Sequence, residues 1–231
     1  MKNDIRELRE RYIRARRAIR KRLAEFRRKL SAPPCEIFYE LCFCLLTPQS
    51  KAKLCWASVE RLQERKLLPP HHHHVIRASG DRLEDKICSS LSGVRFPRNK
   101  AGYVALAIDN HYRDICFSDG NHPVKKLKNA SLEKILEYRD YLVKNIKGYG
   151  YKEASHFLRN VGLGKDIAIL DRHILKNLLR YGAIKKIPPS LTKKNYLEIE
   201  DKMRAFSRRL AIPMDELDLL FWSMEAGEIF K

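Results

Sequence analysis

The sequence predicts an all-α protein. Apolar residues recur every three or four positions through much of the 231-residue chain, the spacing that aligns side chains on one face of a helix. No alternating apolar run exceeds four or five residues between hairpin turns, so strands find no clear place to form. No segment repeats at a fixed period, and no linker separates independent domains. With 44% hydrophobic and 32% charged residues, the chain can bury one sizeable core or two lobes sharing a cleft.

The first element is a basic amphipathic helix over residues 1–30. Ile5, Leu8, Tyr12, Ala15, Ile19, Leu23, Phe26 and Leu30 form a stripe that should dock on the body of the protein. Residues 2–30 also hold thirteen Lys or Arg against four Asp or Glu, a net +9, which makes the other face a solvated basic surface. Residues 31–231 form the body. Pro33 and Pro34 end the first helix, and the nearly continuous apolar run Ile37 to Leu46 must be a buried helix or strand. After Thr47-Pro48-Gln49, a helical pattern runs from Lys51 to Arg65 and closes at Pro69 and Pro70. The four adjacent histidines His71 to His74 cannot converge on one ion from a helix or strand, so they read as a solvated loop and no metal site is expected. Helical patterns resume over Arg82 to Leu91 and Lys100 to Tyr112, and Ser131 caps a further helix that runs to about Ile146.

Charge gives the first functional indication. Forty-seven Lys and Arg against 28 Asp and Glu leave a formal charge of +19, a field that attracts polyanions and makes nucleic acid the leading partner class. Six cysteines in a chain of this length do not make a disulfide scaffold, and several lie in apolar runs where a thiol packs as a small core residue. A reducing compartment, the cytoplasm, is expected. No stretch reaches the length of a membrane span, and the arginine-rich N-terminus lacks the apolar segment of a secretory signal.

The segment that carries chemistry runs from Ser131 to Leu175. A helix meets Lys147-Gly148-Tyr149-Gly150-Tyr151, and a second helix begins at Lys152, with Ala154, Phe157, Leu158 and Val161 on its packed face. Glycines at i and i+2 allow a tight hairpin with exposed backbone amides, and the start of the following helix adds further donors, a suitable seat for a phosphate. This is the helix-hairpin-helix pattern, about residues 131–161, which grips a DNA backbone without reading its bases. The apolar run Ile167 to Leu170 then ends in Asp171, and Arg172 and His173 open another helix.

On these residues the chain resembles the helix-hairpin-helix superfamily of base-excision DNA glycosylases. The runs GYGYKEASHFLRNVG and AILDRHIL resemble its archaeal-type 8-oxoguanine DNA glycosylase/lyase branch. The resemblance extends over about Cys35 to Lys231. It implies two helical lobes around a DNA-binding cleft, with C-terminal helices packing back on the first lobe and no cofactor. It also implies a monomeric enzyme acting on double-stranded DNA that contains oxidised guanine. Lys152 would be the nucleophile and Asp171 its carboxylate partner. Leu46-Thr47-Pro48-Gln49 is similar to the loop that pushes a polar residue, here Gln49, into the gap left by an extruded base. Val94-Arg95-Phe96 and Asn99-Lys100-Ala101 fall where relatives reach the opposite strand, making Arg95, Phe96 and Lys100 candidate DNA contacts beside Gly148, Gly150 and Arg172. Where the superfamily often has Gly-Pro before its aspartate, this chain has Ile169-Leu170.

The chemistry suits those residue types. An ordinary lysine amine is neutral in only about one molecule in a thousand near pH 7.4, so a lysine nucleophile needs surroundings that disfavour ammonium. A helix N-terminus, partial burial and a cation such as Arg172 would supply them. The amine attacks C1′ of the deoxyribose, displaces the base and leaves a Schiff base from which β-elimination cuts the strand. Asp171 would stabilise positive charge developing on the sugar; taken alone, it also suits the N-cap of the helix that follows.

Excision requires the nucleotide to be flipped out and its base stacked on an aromatic or apolar surface, for which Trp222 is the first candidate and Phe96 the second. The chain ends in Gly227-Glu228-Ile229-Phe230-Lys231. The resembled branch ends in the same way, with its terminal lysine implicated in recognising the lesion. The α-carboxylate of Lys231 is therefore a candidate acceptor for the N7 hydrogen that 8-oxoguanine has and guanine lacks. Two other readings compete. A glycosylase for oxidised pyrimidines of the endonuclease III type would need four cysteines after Asp171 for its iron-sulfur cluster, and no cysteine follows Cys116; a pyrimidine substrate without the cluster stays open. A non-catalytic DNA-binding module would use the hairpin for backbone contacts alone.

Overall fold

The computed structural model describes residues 2–69, 82–116 and 123–230, and every regular element among them is helical. In chain order the α-helices are α1 (Lys2–Arg28), α2 (Pro34–Leu46), α3 (Ala52–Glu64), α4 (Leu83–Ser90), α5 (Pro97–Cys116), α6 (Pro123–Lys126), α7 (Leu132–Asn145), α8 (Tyr151–Asn160), α9 (Arg172–Arg180), α10 (Lys193–Leu210) and α11 (Met214–Ala226). The all-α prediction holds. The run Ile37 to Leu46 is helix rather than strand, almost wholly buried as the core of α2. No described helix is long and apolar enough to cross a membrane.

The chain forms two compact units. The basic N-terminal helix α1 shares one unit with the chain from Leu158 onward. In that unit α1 packs along α11, which also touches α9 and α10. Leu8, Ile19, Leu23 and Phe26 are buried as the stripe requires, whereas Ile13, off the stripe, is 68% exposed. Acidic residues in the first turn of α11, favoured there by the helix dipole, fasten the basic helix. Tyr12 Oη donates to Glu216 Oε2 at 2.6 Å, Arg20 Nε to Glu216 Oε1 at 3.0 Å, and Arg27 reaches Asp215 Oδ2 at 3.3 Å. The backbone comes close at Gly162, where φ is +85° and a Cβ would lie 2.7 Å from Arg27 Cα.

The second unit is Lys29–Phe157. Its centre is α2, packed by α3 and α5, with α4 against both α3 and α5. Phe38, Leu41, Phe43 and Leu45 are buried there. Arg139 of α7, also buried, donates to Ser155 Oγ of α8 at 3.1 Å.

Candidate active site

The hairpin is built as its glycines require, with one difference. Ser131 caps α7 by accepting the Lys134 N–H at 3.4 Å, and the chain turns after Asn145. Gly148 has φ +94°, and a Cβ there would lie 2.6 Å from the Tyr103 ring, so only glycine fits. Tyr149 points inward and donates to Leu41 O at 3.0 Å; burial pushes its phenol well above the ordinary range. The difference lies at Gly150, whose N–H donates to Glu153 Oε2 at 3.1 Å. This cap across the first turn of α8 occupies an amide that the glycine spacing offered to a phosphate.

Lys152 follows in the same first turn, its side chain 22% exposed. Its Nζ donates to Thr47 Oγ1 at 3.2 Å and stands 3.4 Å from Glu153 Oε1. Thr47 spends its own hydroxyl hydrogen on Cys44 O at 2.9 Å, which leaves its oxygen lone pairs for the lysine.

Gln49 is exposed with φ +54°, and Phe96 is 52% exposed with φ +56°; the Arg95 guanidinium lies 5.4 Å from the Phe96 ring centroid. Both tips project from the surface. Lys100 does not. It is 4% exposed, and its Nζ is committed to Leu46 O at 2.7 Å, Pro48 O at 2.7 Å and Ser50 Oγ at 2.9 Å. The expectation that Lys100 contacts the opposite strand is therefore corrected: all three of its hydrogens are used inside the protein. Burial pulls its pKa down to about 8, and the Lys152 charge acts in the same direction.

In the other unit Asp171 is the N-cap of α9, with Oδ1 accepting the His173 N–H at 2.8 Å and the Ile174 N–H at 2.9 Å. Both bonds fall on one oxygen, so the cap orients the carboxylate without using Oδ2. The run before it is held by α10: Glu200 Oε1 accepts Ala168 N–H at 2.8 Å, while Tyr196 Oη donates to Ala168 O at 2.6 Å and accepts Leu170 N–H at 3.3 Å. These side chains fix the turn formed by Ile169-Leu170. Asp218, 2% exposed, bonds Arg159 at 2.7 Å; burial raises its carboxyl to about 6, and the Asp171 charge adds to the rise.

Arg172 is exposed, and Trp222 of α11 is half-buried rather than a core residue. Gly227 at φ +77° ends α11, and the tail is caught at Phe230, whose carbonyl accepts from Arg22 Nε at 2.8 Å. Lys231 and the run His71 to His74 lie outside the described residues.

Gln49, Arg95, Phe96, Lys100, Gly148, Gly150 and Lys152 thus belong to the Lys29–Phe157 unit, and Asp171, Arg172 and Trp222 to the other. Sequence reasoning missed Thr47, Glu153 and Arg22. Glu153 was accessible from the Gly150-x-x-Glu spacing of a helix cap. Thr47 was not, being 105 residues from its lysine, and Arg22 is one of thirteen basic residues in its segment.

A family profile described as 8-oxoguanine DNA glycosylase matches residues 19–212. The 8-oxoguanine DNA glycosylase/AP lyase of Fusobacterium nucleatum is 45% identical over 196 residues, covering 85% of this chain and 82% of its own. The crystal structure of the 8-oxoguanine DNA glycosylase of Thermotoga maritima superposes with a TM-score of 0.76 at 27% identity over 100% of both chains. That of the Methanocaldococcus jannaschii 8-oxoguanine glycosylase/lyase, in complex with 15mer DNA containing 8-oxoguanine, gives a TM-score of 0.70 at 33% identity, covering 94% of this chain and 93% of its own.

Proposed function

This chain belongs to the 8-oxoguanine DNA glycosylase family, and from that premise we propose that Lys152 and Asp171 perform its chemistry. The protein is a bifunctional DNA glycosylase/AP lyase that excises 8-oxoguanine from double-stranded DNA. The observation that carries the residue assignment is the position of Lys152. It sits in the first turn of α8, directly after the hairpin, with Nζ 3.2 Å from the hydroxyl of a loop whose next residues expose Gln49.

The lysine amine forms a bond to C1′ as the bond to the base nitrogen breaks, and the base leaves with the electron pair and takes up a proton. Loss of a proton from nitrogen and opening of the sugar ring give the Schiff base. Removal of a C2′ proton then expels the 3′ phosphate by β-elimination. Asp171, oriented by its cap, stabilises the positive charge that develops on the sugar. Glu153, within 3.4 Å of the amine, is placed to take a proton from it.

Gln49 and Phe96 enter the space left by the flipped nucleotide, with Arg95 beside them, and the half-buried Trp222 offers its ring to the extruded base. The hairpin turn at Gly148 holds the phosphate backbone, the Gly150 amide being kept for the Glu153 cap, and Arg172 adds a cationic contact. The terminal carboxylate of Lys231 accepts the N7 hydrogen of 8-oxoguanine and repels the N7 lone pair of guanine. The anchored carbonyl of Phe230, one residue earlier, supports this reading. A cytoplasmic site of action accords with the reduced thiols of Cys55 and Cys88.

The direct test incubates the protein with end-labelled duplexes holding 8-oxoguanine, thymine glycol or an abasic site, with and without borohydride. Cleavage and a covalent adduct on the first and third, both lost in Lys152→Gln, are expected. A Lys152→Gln protein that still cross-links would overturn the assignment of the nucleophile.

A further inference from the structure

Two exposed residues of the Lys29–Phe157 unit, Gln49 and Phe96, share an uncommon backbone state, with φ of +54° and +56°. Neither is glycine, and such conformations persist only where the surroundings over-determine them. The surroundings have one common element. Lys100 lies beneath both turns with its three ammonium hydrogens on Leu46 O, Pro48 O and Ser50 Oγ, which brackets the turn carrying Gln49. Ser50 Oγ also accepts the Arg95 N–H at 3.0 Å, which ties in the turn carrying Phe96. Lys100 further joins the second turn through its own amide, which donates to Phe96 O at 3.1 Å. Thr47, between two of the bonded carbonyls, is the residue that holds the Lys152 amine.

We propose that Lys100 is a positioning residue: its buried ammonium sets the Gln49 and Phe96 tips in fixed register with each other and with Lys152, so that two rigid points fill the gap behind a flipped nucleotide. A buried lysine costs desolvation that a methionine of similar length would avoid. That cost is offset by three charge-assisted bonds to backbone and hydroxyl oxygens. The gain is geometric, because a loop that must enter a duplex loses less ordering entropy when it is already rigid. The burial that lowers the Lys100 pKa to about 8 still leaves most of the ammonium charged near neutrality, when all three donors are available.

This inference rests on the glycosylase reading, and its test separates the two. Lys100→Met and Ser50→Ala are compared with the unaltered protein in single-turnover excision of 8-oxoguanine, in cleavage of a preformed abasic site, and in hydrogen–deuterium exchange without DNA. Lys100→Met should slow excision at least tenfold, because the intact base must be flipped and its gap filled, and slow abasic-site cleavage less than threefold. Ser50→Ala should show the same split, smaller. Exchange at residues 47–50 and 95–97 should quicken in both variants while the rest of the unit keeps its protection. Unchanged exchange, unchanged excision, or equal loss of both activities would overturn the proposal, the last marking a merely structural lysine. If Lys100→Met does not fold, Ser50→Ala decides on the same readouts. If the unaltered protein fails to excise 8-oxoguanine, the glycosylase reading falls while the exchange data still judge the brace.

Discussion

Arg22 Nε donates to the backbone carbonyl of Phe230 at 2.8 Å across 208 residues of sequence. The same guanidinium bonds Glu25 at 2.6 Å and lies 5.2 Å from the Phe26 ring and 5.7 Å from the Phe230 ring. The basic N-terminal helix therefore has a specific partner, the end of the chain. If the terminal carboxylate reads the lesion, Arg22 holds the reader. Arg22→Leu should lower the preference for 8-oxoguanine over guanine roughly tenfold, within the 1.5 to 3 kcal/mol of a hydrogen bond to a charged group. Deleting Lys231, or appending one residue so that the carboxylate moves, should do the same, and cleavage of a preformed abasic site should hardly change. Single-turnover rates on paired duplexes measure the preference; a C-terminal extension that leaves it intact would exclude the carboxylate.

Asp171→Asn separates the cap from the chemistry. Asparagine also accepts the His173 and Ile174 amides, so the helix start and the melting temperature should be kept. Excision should fall on the order of a hundredfold to a thousandfold, as when one charge-stabilising group is removed from an active site. DNA affinity, read by fluorescence anisotropy, should be unchanged. A single-turnover rate equal to the unaltered protein's would remove Asp171 from the mechanism.

Gly148→Ala should damage the hairpin. The new Cβ would stand 2.6 Å from the Tyr103 ring on a backbone at φ +94°. Strain and overpacking together predict a loss of about 3 kcal/mol, measurable from urea denaturation midpoints. Weaker binding to undamaged duplex should accompany it, since a backbone grip is indifferent to the lesion.

Asp218 predicts a pH dependence of stability. Its carboxyl is raised from an ordinary 3.8 to about 6, chiefly by burial and against the pull of Arg159. Between those values the folded protein binds more protons here than the unfolded chain does. The contribution is therefore fully present below about pH 3.8 and lost as pH rises through about 6. Asp218→Asn keeps an acceptor for Arg159 and does not titrate, so the stability of the unaltered protein relative to this variant should decline between pH 4 and 6.5. Urea midpoints across that range give the difference, and a flat difference would contradict the assignment.

Much of the fold was legible because helical periodicity is local. The stripe from Leu8 to Phe26, the Ser131 cap, the turn at Gly148 and the Asp171 cap each depend on residues within a few positions of one another, and each appears in the structure. The Ile37 to Leu46 run was ambiguous, since a fully apolar segment has no face to reveal its period, and only its packing among α3 and α5 shows it as helix. From sequence Lys100 reads as a surface cation, because lysine usually is one. Its inward turn depends on carbonyls at Leu46 and Pro48 that lie more than fifty residues earlier. The sequence by itself determined most of the helices, the caps at Ser131 and Asp171, the hairpin and the family. Tertiary structure alone decided that Thr47 meets Lys152, that Arg22 holds Phe230 and that α1 joins the C-terminal helices. A hydrogen bond needs its two partners within about 3 Å, and no local pattern records which distant atoms folding will bring that close.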